Sequence, residues 1–537
     1  MPHTLYGISF LTCELRVSLP QRNKCSSRII FCVSQPVFFH GLARWIGSAK
    51  NNRYGILAVS IPLIIRSLPE IIVGPYPVGF DTIAFYVPNT IDWATGKVGF
   101  GLALGTGPLL YLIALFATYS LRMQPVWVFK FMGPILYGCL MFSIYQFLRL
   151  GLRWSEKLSL STVFLSSLYF VTLRISWDLF RTMLGLTFIF ISLPFLGNLR
   201  TPRSYLMVLL LSVLAILSDQ FAATIMLSIL LYRAATLFFR KRNSEFTKIL
   251  RIVLPSLSLF SVIAFLDVSL GLAFIHDQLP LQTSAEALEG MEFLAYCYAP
   301  LTPLVFLGYR RVKNLDLKVW SFACVLGAVS VLIPFMGLIV SFRWSLLLDF
   351  PLCVYAASGI SAFRNISIRN PFLAHTINRI LATAALLLTL SSCLYVALPA
   401  ERALPYFNSF PSLMPTSLAQ SSIPASDMPA LTALLRWVRS NSNNQTFLIT
   451  HQAIYGWARA YGLAASRHLI DYGYSSPMTG VAAALESGAT TVLVIWWANG
   501  QGWHDQTSLP SGFVPILTAG SLVLYKYSFS QVADGRQ

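Results

Sequence analysis

Acidic residues are scarce in this chain. Its 537 residues hold 21 Asp and Glu against 39 Lys and Arg, and charged residues are only 11% of the whole. Cysteine offers little either. The eight (13, 25, 32, 139, 297, 324, 353 and 393) include no CxxC pair, so neither a disulfide framework nor a zinc site is indicated. There is no HExxH, no DxD, no phosphate-cradling P-loop and no GxSxG elbow, which leaves a serine hydrolase or an ATP-driven pump without support. The net charge of +18 would suggest nucleic acid in a soluble protein. Here the cations lie mainly in short loops between apolar runs, the pattern of topology signals. Residues after Pro399 are nearly balanced, with seven Lys and Arg against six acids. Nucleic acid is therefore not an expected partner.

What the chain has in abundance is apolar length. Hydrophobic residues reach 55% and aromatics 14%, with a mean hydropathy of +0.64, and apolar runs of about 20 residues recur, the length of a spanning helix. The expected fold class is a polytopic α-helical membrane protein of about 11 to 13 transmembrane helices with a small C-terminal extracytoplasmic α/β domain. Residues 1–53 carry seven cations against the single acid Glu14 and read as a basic cytoplasmic segment or an over-extended start, not as a cleaved signal peptide. The expected membrane domain covers 54–398, opening with a span at about 54–73. Further spans are expected at about 101–119, 128–148, 160–175, 179–197, 204–218, 221–238, 248–267, 293–309, 318–339, 344–362 and 376–398.

The strongest cytoplasmic marker is the basic stretch Arg233 to Arg251, and counting forward from it places everything after Pro399 outside. Counting backward requires one segment between 101 and 200 to be re-entrant or split, which is tolerated only where protein or water covers its ends. A Pro- and Ser-rich linker, 399–424, leads to an α/β domain at 425–530. Its expected helices are Met428 to Val438 and Gly480 to Ser487, and its expected strands Thr446 to Thr450, Thr491 to Trp496 and Gly520 to Tyr527. Asn444-Gln445-Thr446 is a glycosylation sequon.

The first polar interruption, 74–100, follows the first span and is expected at the outer surface. With Glu70 just before it, it holds the acids Asp81 and Asp92. A carboxylate at such a surface serves as a base or holds a metal, and a solvated connector explains it equally well. In RISWDLFRTMLG, Arg174, Asp178 and Arg181 share one helix face beside Trp177. They form either a structural ion network or a pair of guanidinium forks for a phosphate. Asp219-Gln220 splits one apolar run into two, as a polar hairpin tip would. Arg343, in SFRWSLLLDFP, is the only basic residue between Lys318 and Arg364, and its expected outer position runs against the inside preference of arginine. A bidentate donor there suits a lipid phosphate or pyrophosphate; a snorkelling arginine is the plainer alternative. His276-Asp277 and the glutamates Glu286, Glu289 and Glu292 lie in another expected outer loop, where a solvated face explains the glutamates and a divalent ion would need converging oxygens.

Together, a first span followed by an outward acidic loop (GFDTIAFY), many further spans, an Arg-Trp before a late span and an α/β tail resemble the GT-C superfamily. Its members are membrane glycosyltransferases that use polyprenyl-phosphate sugars, among them protein mannosyltransferases and oligosaccharyltransferases. The resemblance implies Asp81 as the catalytic or metal-binding carboxylate, with Glu70 and Asp92 as lesser candidates, and Arg343 as the holder of the lipid phosphate. Arg174 and Arg181 would assist if they face the same cavity, and Tyr86 and Trp93 would offer stacking surfaces for a sugar. Tyr455, Trp457 and Tyr461, near His451, would orient the acceptor. A divalent cation (Mg or Mn) is the implied cofactor, Asp81 its candidate ligand, and a polyprenyl-phosphate sugar and membrane lipids are the implied partners. Oligosaccharyltransferases carry WWDYG in the soluble domain, whereas Trp496-Trp497-Ala498-Asn499-Gly500 lacks the acid and sits late in the domain, as a core strand would. The expected activity is sugar transfer from a polyprenyl-phosphate carrier at the outer face. The alternatives are oligosaccharyltransferase-like transfer of a lipid-linked glycan to protein, a transporter or lipid flippase, and a non-catalytic scaffold, which would keep Asp81 and Arg343 apart.

Overall fold

The computed structural model describes residues 53–197, 199, 201–269, 284–329, 341–367, 376, 379–380, 383–384, 387, 423–463, 468–473, 475–498 and 508–528. The expected basic segment, almost all of the linker and of the span at 376–398, and His276-Asp277 lie outside these residues.

The chain is an integral, multi-pass membrane protein. Five of its described helices are long and apolar enough to cross a bilayer: Arg53–Ile72, Pro125–Gly151, Gln220–Phe239, Asn243–Leu266 and Arg343–Ala362. Two bent pairs would raise the number to seven, and Pro108–Leu121, Phe180–Leu196 and Pro202–Ser218 are shorter apolar helices. Pro125–Gly151 and Arg343–Ala362 are buried over 72% and 83% of their most apolar windows. They form the centre of the bundle, as all-round apolar helices should. Arg53–Ile72 is a peripheral helix, and its buried stripe (Gly55, Ala58, Pro62, Arg66 and Pro69) faces Pro125–Gln146. There Gly138 lets the two backbones approach closely, since a Cβ at that position would lie 3.2 Å from the Val59 carbonyl oxygen. Small residues at such crossings compensate for the lack of a hydrophobic drive between helices in lipid.

The split expected between 101 and 200 is at Tyr169. Glu156–Leu168 and Phe170–Asp178 meet there at 67°, because Tyr169 is extended (φ −73°, ψ 129°). A second break follows at Leu179 (φ −97°, ψ 56°), so Arg174 and Asp178 lie on a nine-residue helix interrupted at both ends. The apolar run 293–309 is not one straight span. It bends by 75° between Met291–Tyr298 and Thr302–Arg311, around Pro300 and Pro303, where a missing N–H and ring clashes interrupt a helix.

The tail is a small α/β unit. Its five-stranded sheet has the order β2-β1-β3-β5-β4, with β1 Thr446–Thr450, β2 Leu469–Asp471, β3 Thr491–Trp497, β4 Phe513–Ala519 and β5 Leu522–Tyr527. Parallel pairs β1/β2 and β1/β3 are connected through helices Gln452–Ala458 and Pro477–Glu486, as parallel strands require. The two remaining pairings are antiparallel, and Pro515 sits on edge strand β4 beside a register shift, where its missing N–H is tolerated. Along β3 the side chains alternate between faces. Val492, Val494 and Trp496 pack in the tail's own core, while Leu493, Ile495 and Trp497 belong to a core continuous with the membrane bundle. The adjacent tryptophans therefore serve opposite faces of a core strand, and the Trp497 indole donates to Asp427 Oδ2 at 3.0 Å.

Candidate active site

The stretch after the first span is an ordered, largely buried element. Gly79 (φ +96°) presses its backbone against the end of Phe170–Asp178, and a Cβ there would lie 2.2 Å from the Trp177 carbonyl oxygen and 2.6 Å from Asp178 Oδ1. Only glycine fits that conformation and that space. Its close approach brings in Asp81, whose backbone N–H donates to Asp178 Oδ1 at 3.3 Å. A π-helical turn, Thr82–Tyr86, follows and runs into helix Val87–Ala94.

Opposite stands Arg343, at the start of the late span. Its Nη2 lies 3.6 Å from Asp81 Oδ2, and both side chains are partly exposed, at 24% and 15%. The guanidinium lies over the Phe221 ring, 5.7 Å from its centroid, close enough for cation–π attraction. The Trp344 ring is buried against Gly327 and edge-on to Phe221, which fixes the turn that carries Arg343. Asp178 pairs with Arg174 one helical turn earlier, and Arg181 donates to the carbonyl of Thr106. Two carboxylates and three guanidiniums thus share one neighbourhood, with cations in excess. The buried Nε atoms of Arg181 and Arg343 have no hydrogen-bond partner among the described residues, an unsatisfied state that an anionic oxygen would relieve.

Burial and the negative Asp178 push the Asp81 carboxyl up to about 6, although Arg343, Arg174 and Arg181 each pull it down. A base with that affinity is ionised at neutral pH and still holds a proton well.

Other expected site residues are elsewhere. Glu70 is held in a buried ion triad, 2.9 Å from Arg66 and 3.0 Å from Lys130. Arg66 also donates to the Ser176 carbonyl and Lys130 to that of Tyr76, so this triad bolts the first span to its neighbours. Arg66 and Glu70, one turn apart, were the available sequence signal for it. Asp92 pairs with Arg459 of the tail. Tyr86 is not a stacking surface for a sugar. It is 4% exposed, stacked between Phe180 and Phe129, with its hydroxyl donating to the Asp178 carbonyl at 2.8 Å. Trp93 stacks on Tyr111. Trp457 and Tyr461 stack on each other, and Trp457 tilts against Tyr76, so these tail aromatics build a seam with the loop. At its centre Gly456 meets the π-helical turn, where a Cβ would lie 2.3 Å from the Ile83 carbonyl oxygen. Asp219 caps helix Gln220–Phe239, accepting from Ala222 N–H at 3.1 Å. Asp349, a lone acid in an apolar run, accepts from the Thr172 hydroxyl. It ties the late span to the helix of Arg174 and Asp178.

As for a metal, the described residues hold no group of three or more His, Cys, Asp or Glu poised to bind one. At the cluster the donors are two carboxylates, each already facing an arginine. Hard divalent ions take six or more oxygens, so these residues do not by themselves make a metal site.

A membrane bundle with two interrupted segments, an acidic element after its first span and an α/β tail seated on that element together make a fold shared with a solved membrane protein. Among solved structures it is similar to ArnT from Cupriavidus metallidurans in the apo state, with a TM-score of 0.50 and 11% identity over 90% of this chain and 98% of that one. A second similar structure is an oligosaccharyltransferase from Archaeoglobus fulgidus in complex with Zn and sulfate, with a TM-score of 0.46 and 11% identity over 81% of this chain and 67% of that one. No family model matches the chain, and no curated protein does.

Proposed function

We propose that this protein is a glycosyltransferase that moves a sugar from a polyprenyl-phosphate carrier to a hydroxyl acceptor at the outer face of the membrane. The observation that carries this reading is the approach of Asp81 to Arg343 beside Arg174 and Arg181. A base and a set of phosphate-binding forks converge there at the mouth of the bundle.

In the proposed reaction the acceptor hydroxyl gives its proton to Asp81 as its oxygen attacks the anomeric carbon. The bond from that carbon to the phosphate oxygen breaks, and the electron pair leaves with the polyprenyl phosphate. Attack opposite the leaving group inverts the anomeric centre. Arg343 and Arg181 stabilise the charge that develops on the phosphate, as preorganised donors in a partly dry site do, and Arg174 pairs with Asp178 at the back of the cluster. The tail closes the site from outside, its Arg459 locked on Asp92. No step runs through a metal ion.

The reading is tested with membranes holding the full chain and a panel of labelled polyprenyl-phosphate sugars. Release of polyprenyl phosphate that depends on this protein is expected with at least one donor. Failure of every donor, with the protein folded, would remove the assignment.

A further inference from the structure

A second cationic site lies at the other end of the bundle. Helix Gln220–Phe239 begins beside the Asp81 cluster, where Phe221 meets Arg343, and runs for 20 residues, about 30 Å at the rise of an α-helix. Phe180–Leu196 takes the same course from Arg181 to Leu196. Both helices end at a cavity of about 500 Å³ lined by Arg233, Arg240, Arg242, Lys248, Glu245 and Asp316. A separation of about 30 Å is the thickness of the hydrocarbon core, so this cavity and the Asp81 cluster lie at opposite faces of the membrane.

Its charges divide into two sets. Arg233 is committed, since its Nε and Nη2 grip both oxygens of Asp316 at 2.5 Å and its Nη1 donates to the Leu196 carbonyl at 2.7 Å. This pair is the rigid floor. Glu245 lies 3.6 Å from Arg242, a loose exposed pair. Four cations against two acids leave a surplus of two positive charges, carried at the rim by Arg240 and Lys248. Beside that rim, Phe238 and Phe239 are 59% and 80% exposed, and Leu254 is 54% exposed on the adjoining helix. Cations around a concavity with bare apolar side chains beside them match a phosphate headgroup with its acyl chains alongside. A topology signal needs the charges but not the hollow.

We propose that this cavity binds the phosphate-bearing headgroup of an anionic membrane lipid, in the leaflet opposite the Asp81 cluster. Arg240 and Lys248 meet the phosphate, and Phe238 and Phe239 flank the chains. The proposal is independent of the transfer activity, and its test reads binding alone.

The test uses the full chain in phosphatidylcholine nanodiscs, with phosphatidylglycerol added, and counts retained lipids by native mass spectrometry. One tightly retained phosphatidylglycerol is expected. Arg240→Gln with Lys248→Gln should weaken it about ten-fold or more, at roughly a several-fold loss per cation. Lys248→Arg should keep it, which separates lost charge from lost fold. Arg251→Gln, an exposed cation on the same face that does not line the cavity, should leave retention unchanged. Equal weakening by Arg251→Gln, no retained phosphatidylglycerol, or glycerol 3-phosphate binding as tightly as the lipid would each overturn the proposal.

Discussion

The Nη2 of Arg343 lies 3.6 Å from Oδ2 of Asp81, although one stands just after the first span and the other at the start of a late one. That distance exceeds a hydrogen bond, so the pair attracts without locking, and each partner remains partly open to water.

Replacing Asp81 by Asn should cut transfer by about 10²–10⁴-fold, the range for a positioned base. It should not destabilise the fold. A carboxyl raised from 3.8 to about 6 in the folded protein favours folding only while protonated. That contribution is full below its unfolded value and lost as pH rises through about 6, at a cost of at most ~3 kcal/mol by neutrality. The Asn variant should therefore melt at or above the wild-type temperature at pH 7.5, with the difference fading below pH 4. Thermal melts across that range check this, and a lower melting temperature at pH 7.5 would count against it.

The pH profile of kcat/KM should fall on the acid side with a midpoint near 6. Because Arg343 lowers the Asp81 value and Asp178 raises it, Arg343→Ala should move that midpoint upward and Asp178→Asn downward. A midpoint that stays fixed in both variants would take Asp81 out of the rate equation.

Glu70→Gln should behave differently from Asp81→Asn. It would leave Arg66 and Lys130 buried with a lost partner, a type of change that costs about 3–5 kcal/mol. Expression and melting temperature should suffer, and the surviving folded fraction should keep its acid midpoint.

Gly456→Ala should loosen the tail. Its Cβ would meet the Ile83 carbonyl oxygen at 2.3 Å, and backbone must shift to accept it, at about 1–3 kcal/mol. Faster proteolytic release of the tail is expected, with weaker acceptor use as its consequence.

The sequence made some of this legible and hid the rest for physical reasons. Asp81 and Arg343 stood out because each is a rare charge in an apolar context, whose placement carries information. Glu70 and Asp92 remain lesser candidates beside Asp81 in the sequence, because their partners Lys130 and Arg459 are distant in sequence and only folding brings them near. Tyr86 is expected from the sequence to stack on a sugar and Trp457 to orient the acceptor, yet packing buries both; aromatic content alone does not tell a core ring from an exposed one. In the tail the strands at Thr446 and Thr491 were plain from their apolar runs. The short β2 and the edge strand β4, half exposed and interrupted by Pro515, left no clear period. The bend after Tyr298 was signalled by Pro300 and Pro303 but masked by continuous hydrophobicity.

The most direct measurement is a double-mutant cycle on transfer, comparing Asp81→Asn, Arg343→Gln and the double variant with one labelled polyprenyl-phosphate donor. Groups that act on one transition state lose their effects non-additively, so the double variant should be about as slow as Asp81→Asn alone. Losses that multiply, or wild-type rates in either single variant, would contradict the claim that these two side chains form one catalytic site.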